Sequence, residues 1–459
     1  MGPKASSSDT SLLKCACAVL SMLPIIYLFH RNVVPISFSS LDSFPPTSAT
    51  FRHHLLFSLA SSNSTIFRRE PYIRLWYAPQ SVRAFVFLDR LPDSSNSQIL
   101  EKLPPIIISK DSSRFPFTSK GGLRSAVRVA RIVKEAVELN QSSVRWFIFG
   151  DDDTVFFVDN LVRLLSKYDH RKWYYIGSNS ESYDQNAKES FEMAFGGGGI
   201  AISFPLAQAL AKVLDSCLVR YGHLYGGDAR VFSCLAELGV GLTREPGFHQ
   251  VDLRGNLFGL LSSHPLSPIL SLHHLELTEP IFPNMSRINA MEHLFNAVRI
   301  DPSRILQQTV CYSNHHTLTV SIAWGYSVQV FEGNKLLPEL LSLQQSFYPW
   351  RRGRGRTNRY MFNVRDSATD KCKRPQIFFL NQVTSIDGLI SSNYTRVDSS
   401  DCKSEKKLRN LKQILVSSKK LDLDPLEPPR RQCCDVQTLK NDSMKVSIRK
   451  CGSHELIAM

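Results

Sequence analysis

Short apolar runs alternate with amphipathic stretches up to about residue 300. The runs HLLFSLASS (54–62), RAFVFLDR (83–90), PPIIIS (104–109) and VRWFIFG (144–150) are bounded by turn residues and only partly alternate. That is the pattern of strands buried on both faces. Between the third and fourth runs, Ala126, Val129, Ala130, Val133 and Val137 share one face of a helix expected over 120–139. Arg124, Arg128, Arg131, Glu135 and Glu138 share another. A second helix is expected over 159–168, with Asp159 as its N-cap. Strands and helices in this order predict a mostly parallel α/β sheet with flanking helices. Beyond residue 300 the pattern turns to strand-like alternation, in 317–333 and again in 375–383, so a β-rich C-terminal portion is expected.

One apolar run is of a different kind. From Cys15 to Phe29 the chain carries no charge, and counting back through Lys14 to Leu12 gives 18 residues, about the least that spans a bilayer. An uncleaved anchor over 12–29 is the expectation, since no small-residue cleavage site follows the run. A cleaved signal and a buried helix are its competitors. Lys4 and Lys14 precede the run and Arg31 follows it, which weakly favours a cytosolic N-terminus. Residues 30–52, rich in Ser, Thr and Pro, read as a stem.

Composition narrows the classes. With 43% apolar residues and ordinary Gly and Pro counts among 459, the chain is neither wholly disordered nor collagen-like. A net charge of +14 suits nucleic acid, anionic membrane or acidic small molecules without choosing among them. Five N-x-S/T sequons follow the anchor, at Asn63, Asn140, Asn284, Asn393 and Asn441, and become glycan acceptors where a luminal loop exposes them. Eight cysteines also follow it, with no paired C-x-x-C spacing for zinc. In an oxidising lumen they read as disulfides.

The sharpest local chemistry is Asp151-Asp152-Asp153, directly after the fourth strand. Ligands of open α/β sheets sit at the carboxyl ends of strands. Three adjacent acids repel, so a fold that holds them together supplies a cation. On extended backbone Asp151 and Asp153 point the same way, as a pair for a hard divalent metal would. A polar loop or a helix N-terminus would explain the acids without a metal.

The stretches WFIFGDDDTVFFVDNL, FGGGGIAIS, HLYGGDARVFSCLAELGVGLTREPGFH and PILSLHHLELTEPIFP resemble, in order, the Fringe-like β-1,3-glycosyltransferases. The C-terminal CYSNHHTLTVSIAWGYSVQVF and RRQCC are similar to an extension of that family's plant branch. The resemblance implies a GT-A fold in a single-pass type II Golgi membrane protein that uses Mn²⁺ and a UDP-sugar. It makes Asp153 the direct metal ligand, with Asp151 in the metal shell and His274 completing it. Asp151 and Asp152 would also meet the donor. Ala60, Ser61 and Ser62 fall on the nucleotide-binding edge, and Gly197 and Gly198 on the approach to the donor sugar. Cys217 and Cys234 would form a disulfide around the acidic motif. Read alone, His274 would be an ordinary packed histidine and Gly196–Gly199 a flexible turn.

The expected reaction is inverting hexosyl transfer from a UDP-sugar to a glycan or glycoconjugate hydroxyl, which needs a base. Where relatives carry two consecutive acids this chain has Asp228-Ala229, so Asp228 becomes the base, with Glu245 as its backup. The alternative is a catalytically weak or inactive UDP-sugar or glycan-binding module on the same fold. Five arginines between 351 and 359 read as a solvated loop, with an acidic-glycan contact as the second reading. The expected layout is a cytosolic tail (1–11), the anchor, the stem, a GT-A domain (53–299), a β-rich extension (300–424) and a basic cysteine-bearing tail (425–459).

Overall fold

The protein was analysed as a computed structural model that describes residues 49–92, 97–313, 317–350, 359–368, 370–397, 408, 410–438 and 442–457. The expected anchor, most of the stem, Arg351–Arg356, Cys402 and Asn441 lie outside the described residues. Among the described residues no helix is long and apolar enough to cross a membrane.

The alternating runs of the N-terminal part form the expected strands and helices. In chain order they are β1 (Leu55–Ala60), α1 (Ile66–Trp76), β2 (Arg83–Leu88), β3 (Ile106–Ile108), α2 (Ser125–Glu138), β4 (Trp146–Asp151), β5 (Val155–Phe156) and α3 (Val158–Leu165). There follow β6 (Tyr175–Gly177), β7 (Ile200–Ser203), α4 (Phe204–Arg220), α5 (Gly227–Glu237) and β8 (Leu242–Arg244). Seven strands make one sheet in the order β3-β2-β1-β4-β7-β6-β8, parallel throughout except that β7 runs against both its neighbours. Leu56 faces a core shared with α2 and α4, whereas Leu55, Phe57 and Leu59 face the opposite side. Both faces are therefore covered, as apolar runs without strict alternation require.

Two details of the helices differ from expectation. Helix α3 starts at Val158 with Phe157 as N-cap, so Asp159 sits in the first turn and accepts a hydrogen bond from Arg52 at 2.7 Å. On α2, the charged face is partly covered: Arg131 and Glu135 are buried. Arg131 donates to Glu135 and to Asp215 of α4, so packing between the helices covers the polar stripe and pairs its charges.

Past β8 come β9 (Phe248–His249), β10 (Leu253–Gly255), β11 (Ser271–Leu272) and helix α6 (Arg287–Ile300). The small sheet β5-β11-β9 lies here, and β10 pairs antiparallel with β16 (Phe347–Pro349) from the C-terminal part. The C-terminal part holds β12 (Gln308–Tyr312), β13 (Leu318–Ala323), β14 (Ser327–Glu332), β15 (Leu343–Gln344), β16 (Phe347–Pro349), β17 (Val364–Arg365), β18 (Gln376–Ile386), β19 (Leu389–Arg396), β20 (Gln413–Lys419), β21 (Cys433–Thr438) and β22 (Ser443–Arg449). Eight of these form the sheet β12-β13-β14-β18-β19-β20-β22-β21. Its outermost strands, β12 and β21, are joined by Cys311–Cys434, and Cys433–Cys451 anchors the chain just after β22. The tail is ordered where these bonds tie it. The core under α1 continues without a break into Trp324, Val328 and Phe378 of the second sheet, and residues 49–459 form one compact unit.

Candidate active site

Strand register brings the chemistry to one edge. Ala60 pairs with Asp151 where the parallel strands β1 and β4 end. Ile200 pairs with Phe149, so the glycines preceding β7 meet the same edge. Leu272 pairs with Val155, and His273 therefore emerges beside the acid triplet.

One ligand atom from each of Asp151, Asp153 and His273 lies within 4.8 Å of the others. His273 Nε2 is 3.1 Å from Asp153 Oδ1 and 3.5 Å from Asp151 Oδ2. The other ring nitrogen, Nδ1, lies 3.2 Å from the Gln250 carbonyl, the hydrogen bond that assigns Nδ1 the proton and leaves Nε2 to face the acids. The expected histidine, His274, is turned elsewhere. Its φ of +54° reverses the chain, its Nδ1 is 3.4 Å from Asp252, and its ring stacks on Trp350.

The cation demanded by three adjacent acids is present in the chain itself. Arg69 of α1 donates to Asp153 at 2.7 Å and also grips Glu276. Burial alone would raise the Asp153 carboxyl, but His273 and Arg69 hold it well below the usual range. Burial likewise disfavours charge on His273, yet Asp153 and Asp151 outweigh it and raise its pKa well above the ordinary value. Asp152 meets Arg69 through Oδ1, 3.5 Å from the guanidinium, and turns its other oxygen to the end of β1. Ser61 and Thr65 both donate to its Oδ2, at 2.6 and 2.7 Å, and burial pushes its pKa up to about 6. Ser62 contacts Ser64 and Thr65, and the Ser61 carbonyl accepts from Arg128.

The four glycines form a tight wedge. A β-carbon on Gly196 would meet Asp228 Oδ1 at 2.4 Å, and one on Gly197 would meet the His273 ring at 2.2 Å. Gly198 donates to Gln250 Oε1 at 2.6 Å, and the Gly197 carbonyl accepts from Thr154. Their lack of side chains lets Asp228 and His273 approach the same backbone from two sides.

Asp228 lies in the first turn of α5, partly buried. Burial first, then the charge of Asp151, pushes its pKa up to about 7. A cavity of about 40 Å³ lies between Ala60, Asp151, Gly196 and Asp228. Ala229 points into an apolar nest with Met193 and Phe195. Glu245 is spent elsewhere: its carboxylate accepts from Tyr168 at 2.5 Å, and Lys167 lies 3.6 Å away. Cys217 and Cys234 are bonded, joining α4 to α5 and fixing the helix that carries Asp228.

Residues that the sequence reading passed over include His273, Arg69, Thr65 and Asp252. A signal for His273 existed, because strand alternation along Ser271-Leu272-His273 turns Ser271 and His273 to the same side, and Ser271 donates to the Gly198 carbonyl. Arg69 had no such signal, since its partners are more than eighty positions away.

A 120-residue stretch is 28% identical to beta-1,3-glucosyltransferases of Mus musculus and Homo sapiens, covering 26% of this chain and 23% of each relative. The chain thus spans about a quarter of those proteins' length. Over 289 residues it is 24% identical to beta-1,3-N-acetylglucosaminyltransferase lunatic fringe of Xenopus laevis, covering 60% of this chain and 72% of that one. Among solved structures, an active-site mutant of LgtC shares 12% identity over 51% of this chain and 94% of its own, with a TM-score of 0.33. The mannosyltransferase PcManGT of Pyrobaculum calidifontis, in complex with GDP-Man and Mn²⁺, shares 12% over 45% of this chain and 59% of its own, with a TM-score of 0.27. The family described as "Protein of unknown function, DUF604" matches residues 185–434, more than half of the chain, and the chain belongs to that family.

Proposed function

We propose that this protein is a GT-A glycosyltransferase of the Fringe-like kind, transferring a hexosyl group from a UDP-sugar to a glycan or glycoconjugate hydroxyl with inversion and a β-1,3 link. The observation that carries the reading is the convergence of Asp151, Asp153 and His273 on one point, across the glycine wedge from Asp228. The donor set suits a divalent ion: two carboxylates, an imidazole nitrogen, and a carbonyl that fixes the other ring nitrogen. We choose Mn²⁺ because imidazole joins the oxygens. Asp151, Asp153 and His273 would hold the ion, which when bound offsets the charge of a departing diphosphate.

The remaining roles belong to the chain. Asp228 takes the proton of the acceptor hydroxyl as that oxygen attacks the sugar, and a pKa near 7 suits a base that works at neutral pH. Ala229 lies among apolar side chains, which supports a single base rather than a pair. Ser61, Ser62 and Asp152 form the rim for the nucleotide, and Gly197 and Gly198 admit the sugar. In cells the protein is a type II Golgi membrane protein anchored by residues 12–29, with this site in the lumen. The C-terminal motifs favour the plant branch of the family.

The test is UDP release by the purified full chain across a panel of UDP-sugars, with and without Mn²⁺. One sugar should give Mn²⁺-dependent release, and Asp153→Ala should abolish Mn²⁺-dependent UDP binding. UDP binding by that variant equal to wild type would sink the assignment, and donor binding without any turnover would favour the inactive binding module.

A further inference from the structure

We propose that Trp350, delivered from the C-terminal part of the chain, is a positioning residue for the histidine pair His273-His274. The proposal rests on the metal-site reading above. Strands β10 and β16 pair antiparallel, with Leu253 opposite Pro349, so the next residue, Trp350, arrives beside Asp252. Arg254 donates to the Trp350 carbonyl at 2.9 Å, and its guanidinium lies 4.8 Å from the centre of the indole. The indole is nearly parallel to the His274 ring, 12° off plane with centres 4.3 Å apart. His274 in turn lies 3.7 Å, centre to centre, from His273.

A chain of contacts thus runs from Arg254 through Trp350 and His274 to His273, the two imidazoles tilted by 33°, and His273 Nε2 faces Asp153. These contacts are needed because His274 adopts a left-handed backbone that residues with a β-carbon avoid. Its local polar partner is distant: Asp252 Oδ1 is 3.4 Å from Nδ1, while the other oxygen of that carboxylate accepts from Ser180 at 2.6 Å. With the ring of His274 clamped, His273 cannot swing from the acids without breaking these contacts. The strained turn and the aromatic contact come from separate segments of the chain, so the histidine loop is completed only when β16 docks.

The experiment compares Trp350→Leu, which keeps apolar bulk but no ring, with Trp350→Phe, which keeps a ring. Mn²⁺ alone is titrated into the full chain and the free ion read by its electron paramagnetic resonance signal. Trp350→Leu should raise the Mn²⁺ dissociation constant about tenfold or more, the loss usual for groups that orient a ligand, and Trp350→Phe should stay close to wild type. Equal affinity of Trp350→Leu and wild type, or Trp350→Phe as weak as Trp350→Leu, overturns the proposal. A second readout needs no metal: the ring-proton resonances of His273 and His274 in histidine-labelled protein. They should move in Trp350→Leu and largely hold in Trp350→Phe. If wild type binds no Mn²⁺ yet the resonances behave this way, the metal reading falls and the positioning role stands. Resonances unmoved in both variants overturn the role whatever the metal does.

Discussion

The two sheets of this molecule solve opposite problems. The seven-stranded sheet ends in an edge crowded with buried polar groups, where Asp152, Asp153, His273 and Asp252 are nearly inaccessible and lean on one another for charge balance. The eight-stranded sheet buries Val320, Ile322, Val328, Ile414 and Val446 and keeps its charges outside, but its first and last strands are distant in sequence and are bridged by Cys311–Cys434. One region stores cost in unfavourable electrostatics and the other stores order in covalent bonds. Polar crowding of the first kind is expected where chemistry is done and is poor design elsewhere.

The widest gap between the regions should open when the covalent one is cut. Replacing Cys311 and Cys434 together by Ser releases a loop closed across 123 residues, worth about 5 kcal/mol in the chain-entropy model. Calorimetry should show a large fall in melting temperature, with Mn²⁺ affinity at 25 °C nearly unchanged because the acid edge takes no group from that sheet. If metal affinity collapsed with stability, the two regions would not be separable in the way described.

The next effect belongs to the polar edge alone. Asp228→Asn should lower the turnover rate by about 10²–10⁴-fold with little change in UDP affinity, since a base acts in the transition state. Wild-type kcat/KM should climb with pH to a plateau above about 7, where Asp228 has lost its proton, and the variant should lack that limb. Stability runs the other way. The folded carboxyl keeps its proton up to about 7 while the unfolded one loses it near 3.8, so the folded state binds more protons in between. Asp228 therefore contributes a decline in stability as pH rises from about 4 to 7, and Asp228→Asn should flatten that part of the wild-type curve. Identical pH–stability curves for the two proteins would mean that Asp228 does not hold its proton more tightly in the folded state.

The smallest effect sharpens the packing argument. Gly197→Ala drives a methyl group into the His273 ring and should cost about 1–3 kcal/mol, with weaker Mn²⁺ binding. Gly241→Ala meets nothing within 4 Å and should stay within about 0.5 kcal/mol of wild type. Equal behaviour of the two variants would mean that the wedge yields more easily than its contacts suggest.

Much of the first sheet was legible because strands buried on both faces leave dense apolar runs: β1, β2 and β3 fall inside the runs read from sequence, and β4 passes its run by one residue, Asp151. The run 317–333 resolves into the hairpin β13–β14, turning at Gly325, whose φ is +77°. The pairing and burial of the α2 charges were not legible, because helical periodicity tells which residues share a face but not what covers it. At the edge, Asp151 and Asp153 were legible as a pair, although a turn at 152–153, closed by Thr154 N–H on the Asp151 carbonyl, and not extended backbone brings them together. That His273 rather than His274 faces the acids depends on a single left-handed residue, which no spacing rule anticipates. Glu245 was a candidate by motif alone, and its partner Tyr168 comes from a loop that sequence does not connect to it.

The bridge between β12 and β21 also sets a timetable. A chain made from its amino end has all of its acid edge, from Ser61 to Glu276, before Cys434 exists to meet Cys311. Until then Cys311 on the outermost strand β12 is a free thiol, open to wrong partners. Maturation of this protein is therefore expected to depend on how long thiol chemistry in the cell can wait for residue 434, so that stalled or shortened chains would carry a nearly complete site on a scaffold that cannot close.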